Sequence, residues 1–496
     1  MDVKIQGLME ASGVKFGTSG ARGLATDMTD YVCYVYTLGF LQYLESKQEL
    51  AQRGIRVAIA GDFRPSTDRI MRAVAQAVTD RGYTPVNSGK IPSPAVALYG
   101  LQNRVPAIMV TGSHIPADRN GIKFNKAGGE ILKEDEAGIR SQCVTVDETR
   151  FTDNQNLANS AFSDWPVEHQ ARDAYVARYL QTFPHDCLNG QRIGIYQHSA
   201  VGRDMLVEII QGLGGAATAL GPSDTFIPVD TEAIRPEDVI LAAEWAKNGA
   251  YHAILSTDGD SDRPLIADET GHWFRGDVAG ILCAKYLGAD SVSTPVSCNT
   301  AVDKCGWFKD VRRTRIGSPY VIASMIEATQ AGARIAVGYE ANGGFLTNSD
   351  IPVAGKTLPA LPTRDALILH LSLLLLAAQE NKTLSQLKSD LPARFTASGR
   401  LQNFSQEKSQ VILAYFNSGN PLQDPIRAND VFGDLCGTCQ HIDRTDGVRM
   451  TFQNDEIVHL RPSGNAPEFR CYNEASSAPR ANELNVACIQ ILEGMK

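Results

Sequence analysis

The chain has 496 residues and a mass of 53.7 kDa, room for three or four domains at roughly 150 residues each. Apolar residues at 43% and charged residues at 21% exclude a disordered chain. A net charge of −9 excludes the global positive field that gathers nucleic acid or anionic lipid, so neither is expected as a partner and any anionic ligand must be held locally.

Met1 to Phe16 carry scattered charges and lack the basic start and apolar run of a secretory signal. A cytoplasmic location is therefore expected, with the ten dispersed cysteines reduced. Only Cys436 and Cys439 form a C-x-x-C pair, and without a second pair or a histidine partner they read as two thiols near a turn, not as a zinc site.

Short β-rich runs ending in polar, glycine-containing loops alternate with helical patterns. The runs are Ile55 to Ala60, Ala107 to Val110, Arg192 to Tyr196, His252 to Ser256 and Ala333 to Val337. Between them a helix is predicted where Met71, Val74, Ala75 and Val78 share one face, with Ser66 or Thr67 as N-cap and Gly82 as stop. Further helices are predicted at Ala174 to Thr182, Asp277 to Leu287 and Ser318 to Gln330. The greasy stretch Leu367 to Ala378 is 12 residues long, whereas a bilayer needs about 20, and it reads as a buried helix.

Polar connectors at Arg150 to Pro166, Asp268 to Gly276 and Glu380 to Gly399 suggest four blocks: 1–158, 159–270, 271–390 and 391–496. The first three carry the strand-then-loop theme and could be diverged copies of one unit. The last has shorter β-like runs, Gly447 to Phe452 and Ile457 to Leu460, and a closing helix from Ala478 to Leu492. The expected class is α/β: three consecutive α/β domains with mixed, mainly parallel sheets, plus a smaller C-terminal α+β domain, around a central cleft. In such sheets ligands collect at the carboxyl ends of strands.

The loop Asp258-Gly259-Asp260-Ser261-Asp262-Arg263 sets three carboxylates at alternating positions, which lets their oxygens converge on one hard cation. An EF-hand is excluded, because Arg263 holds the sixth position where the sharp turn needs glycine and a strand precedes the loop. Arg263 beside a cation suits a phosphate. Thr111-Gly112-Ser113-His114-Ile115-Pro116 sets serine beside histidine, but the context is not G-x-S-x-G and adjacent side chains on a strand diverge, so His114 is a poor base for Ser113. Taken alone, Ser113 is an ordinary turn serine. Gly338 to Gly344 offers Glu340 and Asn342, groups suited to adjacent sugar hydroxyls. Arg461-Pro462-Ser463-Gly464-Asn465 through Arg470 brackets a turn with two arginines, an arrangement suited to phosphate and also compatible with a plain surface turn. Phe16 to Gly23 is glycine-rich yet matches no nucleotide-binding motif.

In this order and spacing the segments resemble the α-D-phosphohexomutase superfamily, and within it the bacterial phosphomannomutases. The family pattern F-G-T-x-G-x-R-G is matched by Phe16 to Gly23, T-A-S-H-N-P by Thr111 to Pro116, D-G-D-x-D-R by Asp258 to Arg263, G-E-x-S-G by the loop around Glu340, and R-P-S-G-T-E-P by Arg461 to Pro467. Gly317 to Val321 and Thr363 to Ala366 also fit. This chain departs at Gly112, Ile115, Asn342, Asn465, Ala466 and Glu468, the last putting a carboxylate where a lysine is usual.

The resemblance implies a phosphoserine enzyme interconverting mannose 6-phosphate and mannose 1-phosphate through a hexose 1,6-bisphosphate, with glucose phosphates as the alternative substrates. Ser113 would carry the phosphoryl group and, with Asp258, Asp260 and Asp262, surround Mg2+. Arg263 would neutralise the transferring group. Arg461, Ser463, Gly464, Asn465 and Arg470 would hold the other phosphate, and Glu340 and Asn342 the ring hydroxyls. Lys123 is implied as general acid or base, its pKa depressed by nearby Arg22, Arg263 and Mg2+, with a fixed phosphate contact as the other reading. Arg22 and His114 would position the serine loop. The bisphosphate would serve as activator and intermediate, and a monomer or homodimer is expected. A metal-dependent sugar phosphatase, a sugar-nucleotide transferase and a non-catalytic sugar-phosphate binder stay open on sequence alone.

Overall fold

Parallel strands alternate with helices in the first three sheets of the computed structural model, which describes residues 1–17, 20–50, 52–159, 162–463 and 468–495. The first sheet contains, in spatial order, Thr84–Lys90, Arg56–Gly61, Ala107–Val110 and Arg119–Lys126. The second runs Ala216–Pro222, Arg192–His198, Ala253–Thr257 and Pro264–Ala267, and the third Asp310–Thr314, Ser291–Pro295, Ala336–Tyr339 and Phe345–Thr347. In each, the strand that comes first in the chain sits between the second and third, the three are parallel, and the fourth joins antiparallel. The repetition expected from the sequence is thus one topological unit used three times. In the first sheet Gly20–Leu24 and Lys15–Phe16 extend the antiparallel side.

Strands covered on both faces are buried along their whole length, as Ala107–Val110, Ala253–Thr257, Ser291–Pro295 and Ala336–Tyr339 are at every residue. One continuous core joins the three units. The helices Ser93–Asn103, Gln170–Thr182, Gly276–Tyr286 and Ala366–Glu380 all contribute to it, the last being the greasy stretch read as a buried helix. No helix among the described residues is long and apolar enough to cross a membrane.

Two local expectations are corrected. The helix Thr67–Asp80 forms on the predicted face with Ser66 at the N-cap position, but no side chain makes the capping bond: Ser66 Oγ accepts from Asn120 Nδ2 at 2.8 Å and Thr67 donates to the buried Asp62 at 2.7 Å. The connector Glu380 to Gly399 holds a helix, Leu384–Ser389, and opens the strand Phe395–Gln402. A Thr383–Gln386 capping box with Leu384 and Leu387 buried beneath it creates that helix.

The fourth sheet is antiparallel throughout, in the order Phe395–Gln402, Glu468–Ala475, Ile457–Pro462, Val448–Phe452 and Cys439–Asp443. It has its own core, with Phe404, Phe416, Phe432, Phe452 and Phe469. Its attachment to the third unit is polar. Thr300 N donates to Glu474 at 3.0 Å, Asn299 Nδ2 donates to the Arg394 carbonyl at 2.8 Å, and Ile316 N donates to Asp446 at 2.9 Å.

Three buried histidines couple the fold to pH. His198, His370 and His459 donate Nε2 to the carbonyls of Thr257, Leu265 and Asp446, and burial lowers each to about 4. Unfolded histidine titrates near 6.5, so below that pH the unfolded chain takes up protons that the folded chain refuses. Stability is complete above pH ~6.5 and falls toward pH ~4, by up to about 1.4 kcal/mol per pH unit for each histidine. Urea unfolding followed across this range should show the decline, and His370→Gln should make it shallower.

Candidate active site

Of the loops singled out in the sequence, those at 111–116, 258–263 and 338–344 are the same connection of the repeated unit, the one between its third and fourth strands. Topology therefore delivers them to equivalent strand ends.

In the first unit Ser113 is buried and takes the left-handed conformation, φ 57°, held by its N–H donating to Thr111 Oγ1 at 2.7 Å. Its hydroxyl donates to Asp258 Oδ2 of the second unit at 2.5 Å. Gly259 permits this approach, since a Cβ there would lie 2.9 Å from the Ser113 carbonyl oxygen. The turn at Ser113 also brings His114 to the same side, with Nδ1 3.4 Å from Ser113 Oγ. The expected divergence holds for extended backbone and fails here. Arg263 Nη1 donates to that Nδ1 at 2.8 Å. Burial, then the charges of Arg263 and Arg22, push His114 well below its ordinary range, so the ring is neutral and its lone pair is engaged.

The serine loop hangs on a residue that the sequence reading missed. Buried Arg64 donates to four backbone carbonyls: Ser113 at 2.7 Å, Ile115 at 2.6 Å, Pro116 at 2.6 Å and Arg119 at 3.1 Å. Asp62 orients it at 3.0 Å and also accepts from Thr111 Oγ1 at 2.7 Å. The signal was an Asp-x-Arg directly after the strand Arg56–Gly61.

Asp258, Asp260 and Asp262 are buried, with ligand oxygens within 4.8 Å of one another. Lys123 Nζ donates to Asp260 Oδ2 at 2.5 Å and Asp262 Oδ2 at 2.6 Å. The sequence reading surrounded Lys123 with cations, whereas its direct partners are these two carboxylates. Burial opposes the charge of Asp260 and Asp262, but Lys123 and Arg364 respectively hold them below the ordinary carboxylate range. Burial and then the other two aspartates raise Asp258 well above that range, which marks a demand for more positive charge. Asp260 Oδ1 and Asp262 Oδ1 are buried without hydrogen-bond partners among the described residues. Orphaned anionic oxygens in an all-oxygen set fit a hard divalent cation.

Arg263 Nε lies 3.9 Å from Asp258 and 3.8 Å from Asp262. Arg22, on Gly20–Leu24, is lowered to about 10 by burial and by the repulsion of Arg263 and Arg364, so it shares their crowded positive side. In the third unit Glu340 accepts from Arg364 Nη1 at 3.2 Å, and the same guanidinium donates Nε to Asp262 Oδ2 at 3.0 Å. Arg364 thus ties the sugar loop to the aspartate loop, a link the sequence reading left unassigned. Asn342 stays in its own loop, accepting from Gly344 N at 2.9 Å, while its carbonyl accepts from Thr231 at 2.6 Å.

Arg461 and Arg470 stand directly opposite each other in the fourth sheet. Arg461 Nε lies 3.3 Å from Asp446, Arg470 donates to Glu468 and Tyr472 at 3.5 Å, and both Nε atoms lack a hydrogen bond among the described residues. Glu468 also pairs with Arg400 at 3.1 Å. Two facing cations with spare donors need an anion. Glu232 is raised by burial and by Asp230, against the charges of Arg275, Arg470 and Arg263. Ser463 is buried and its N–H donates to Glu468 O at 2.8 Å; Gly464 and Asn465 lie outside the described residues.

Comparison with known proteins agrees with this geometry. Profiles of phosphoglucomutase/phosphomannomutase alpha/beta/alpha domain I and alpha/beta/alpha domain III match residues 13–150 and 275–395. A phosphomannomutase of Salmonella muenchen is 44% identical over 470 residues, 95% of this chain and 94% of its own. The chain belongs to the phosphoglucomutase/phosphomannomutase family. Another relative, a phosphomannomutase of Sinorhizobium fredii (strain NBRC 101917 / NGR234), is 40% identical over 97% of this chain and 99% of its own. The crystal structure of a phosphoglucomutase/phosphomannomutase family protein from Burkholderia thailandensis shares the fold, with a TM-score of 0.71 at 19% identity over 96% of each chain.

Within this family member, Arg64 should set the attack geometry. Arg64→Lys keeps the charge but cannot reach four carbonyls, and an ångström-scale shift of a reacting group costs about 100-fold. Turnover should fall by about that factor with KM little changed, as steady-state kinetics would read.

Proposed function

We propose that the chain is a phosphohexomutase that interconverts mannose 6-phosphate and mannose 1-phosphate through a phosphoserine at Ser113 and a hexose 1,6-bisphosphate. The observation that carries the reading is the 2.5 Å contact of Ser113 Oγ with Asp258, at a point where Lys123, Arg263 and Arg364 converge from three units. Mannose is favoured over glucose because the relatives at 44% and 40% identity are named phosphomannomutases.

In this reading the bond between phosphorus and Ser113 Oγ breaks as one to a sugar hydroxyl forms, the hydroxyl proton passes to the departing Ser113 oxygen, and Lys123, held by Asp260 and Asp262, is the fixed phosphate contact of the two roles the resemblance offered it. Reversal with the other phosphate restores the phosphoserine, which makes the bisphosphate both intermediate and activator. Asp258, Asp260 and Asp262 would hold Mg2+, which when bound neutralises charge on the transferring phosphoryl group. Arg263 does the same from the side, its guanidinium fixed by His114. Glu340 and Asn342 receive ring hydroxyls. Arg461, Ser463, Gly464, Asn465 and Arg470 hold the phosphate that is not reacting, and Arg22 steadies the reacting end. The four-domain division at 1–158, 159–270, 271–390 and 391–496 belongs to the same proposal, supported by one sheet of four or more strands in each of those ranges.

The test is mannose 1-phosphate to mannose 6-phosphate conversion with Mg2+ and catalytic bisphosphate, beside the glucose pair. Conversion without net phosphate release is expected, lost with chelator and abolished in a folded Ser113→Ala. Steady release of inorganic phosphate would point to a phosphatase, and full activity of Ser113→Ala would remove the phosphocarrier. For the distal clamp, Arg470→Ala should raise KM roughly 10- to 100-fold, the worth of a charge-assisted hydrogen bond, with a smaller change in kcat. Initial rates over a range of hexose 1-phosphate concentrations decide this.

A further inference from the structure

We propose that Ser93 and Arg364 are positioning residues for the metal centre, each saturating one oxygen of an aspartate so that the other is left free for the cation. The inference rests on the divalent-metal reading of Asp258, Asp260 and Asp262. Ser93 opens the helix Ser93–Asn103 in the first unit. Its hydroxyl donates to Asp260 Oδ2 at 2.5 Å and its N–H donates to the Asp260 carbonyl at 2.9 Å, so it grips side chain and backbone together. Arg364, just before the helix Ala366–Glu380, meets Asp262 Oδ2 through Nε and Nη2, both at 3.0 Å, while Nη1 holds Glu340.

Every donor given to these two carboxylate groups goes to the same kind of oxygen. Asp260 Oδ2 takes Ser93 and Lys123, and Asp262 Oδ2 takes Arg364 and Lys123. Oδ1 of both residues is buried and accepts no hydrogen bond among the described residues, with Arg263 Nε standing 3.8 Å from that of Asp262. Burying an oxygen without a partner is unfavourable, and more so when it is charged, so two of them in one cluster are a sustained cost unless a ligand relieves it. A carboxylate pinned by one oxygen cannot turn that oxygen toward the ion, and the free one is presented in a fixed place. Partners that orient metal ligands in this way typically contribute 10- to 100-fold in affinity.

The two residues differ in a way that separates orientation from charge. Ser93 is neutral, so Ser93→Ala leaves the local charge untouched and any loss is positional. Arg364 is a cation beside three aspartates; by Coulomb's law alone its removal would tighten cation binding, whereas the positioning role predicts weaker binding.

Mn2+ binding to the full chain, measured as free Mn2+ by electron paramagnetic resonance, tests this without reference to turnover. Relative to wild type, Ser93→Ala should bind roughly 10- to 100-fold more weakly, Ser93→Thr, which keeps the hydroxyl, should bind within a fewfold, and Arg364→Ala should bind more weakly. Thermal melts with chelator check folding, and if Arg364→Ala does not fold, the Ser93 pair decides. Wild-type affinity in Ser93→Ala, or tighter binding in Arg364→Ala, overturns the inference. Absence of Mn2+ binding by wild type, or undiminished binding by Asp260→Asn, overturns the metal reading and this inference with it.

Discussion

Three carboxylates buried at one turn cannot neutralise themselves. Their own loop supplies a single cation, Arg263, nearly 4 Å away, and the balance comes from elsewhere: Lys123 from the first unit and Arg364 from the third. At the low effective dielectric of an interior, such pairs are strong when geometry is good and severe when a partner is missing. The aspartate loop therefore acts as the electrostatic keystone of the assembly. Ser113 and Ser93 reach the same loop with neutral hydroxyls, which adds direction without adding charge.

The repeated unit explains why so few loops are needed. A single connection, between third and fourth strands, holds the serine in one copy, the aspartates in the next and Glu340 with Asn342 in the last. Each lies at the carboxyl end of a parallel strand, where the backbone leaves the sheet and side chains can converge. Equivalent scaffolds have diverged in the chemistry they present while keeping its place. The fourth sheet is built on another plan, with its own aromatic core and with hydrogen bonds from Thr300 and Ile316 joining it to the third unit.

Patterns that are local in the chain were legible in the sequence. The alternation of Asp258, Asp260 and Asp262, the apolar runs of the buried strands and the greasy helix Ala366–Glu380 all depend on nearest neighbours. Single residues acting over long separations were not. Arg64 reaches across to the serine loop, Ser93 to Asp260 and Arg364 to Asp262, and none carries a motif that announces its partner. Local rules also failed where other constraints intervened: Asn120 and Asp62 engage the hydroxyls of Ser66 and Thr67, neither of which makes the capping bond, and the left-handed turn at Ser113 reversed the geometry assumed for His114. The strand expected to start at Ala333 begins at Ala336, because Asp290 captures the N–H groups of Arg334 and Ile335 outside the ladder.

The link from Asp262 to Arg364 also has a bearing on how the molecule is made. Those residues are 102 positions apart in the chain. At synthesis rates of about 5–20 residues per second, the ribosome delivers the aspartate roughly 5–20 s before the arginine. During that interval Asp262 has Lys123 to pair with but not the Arg364 guanidinium, so this buried contact is completed only once Arg364 has emerged. Full neutralisation of the aspartate turn is thus coupled, during synthesis, to the arrival of the next unit.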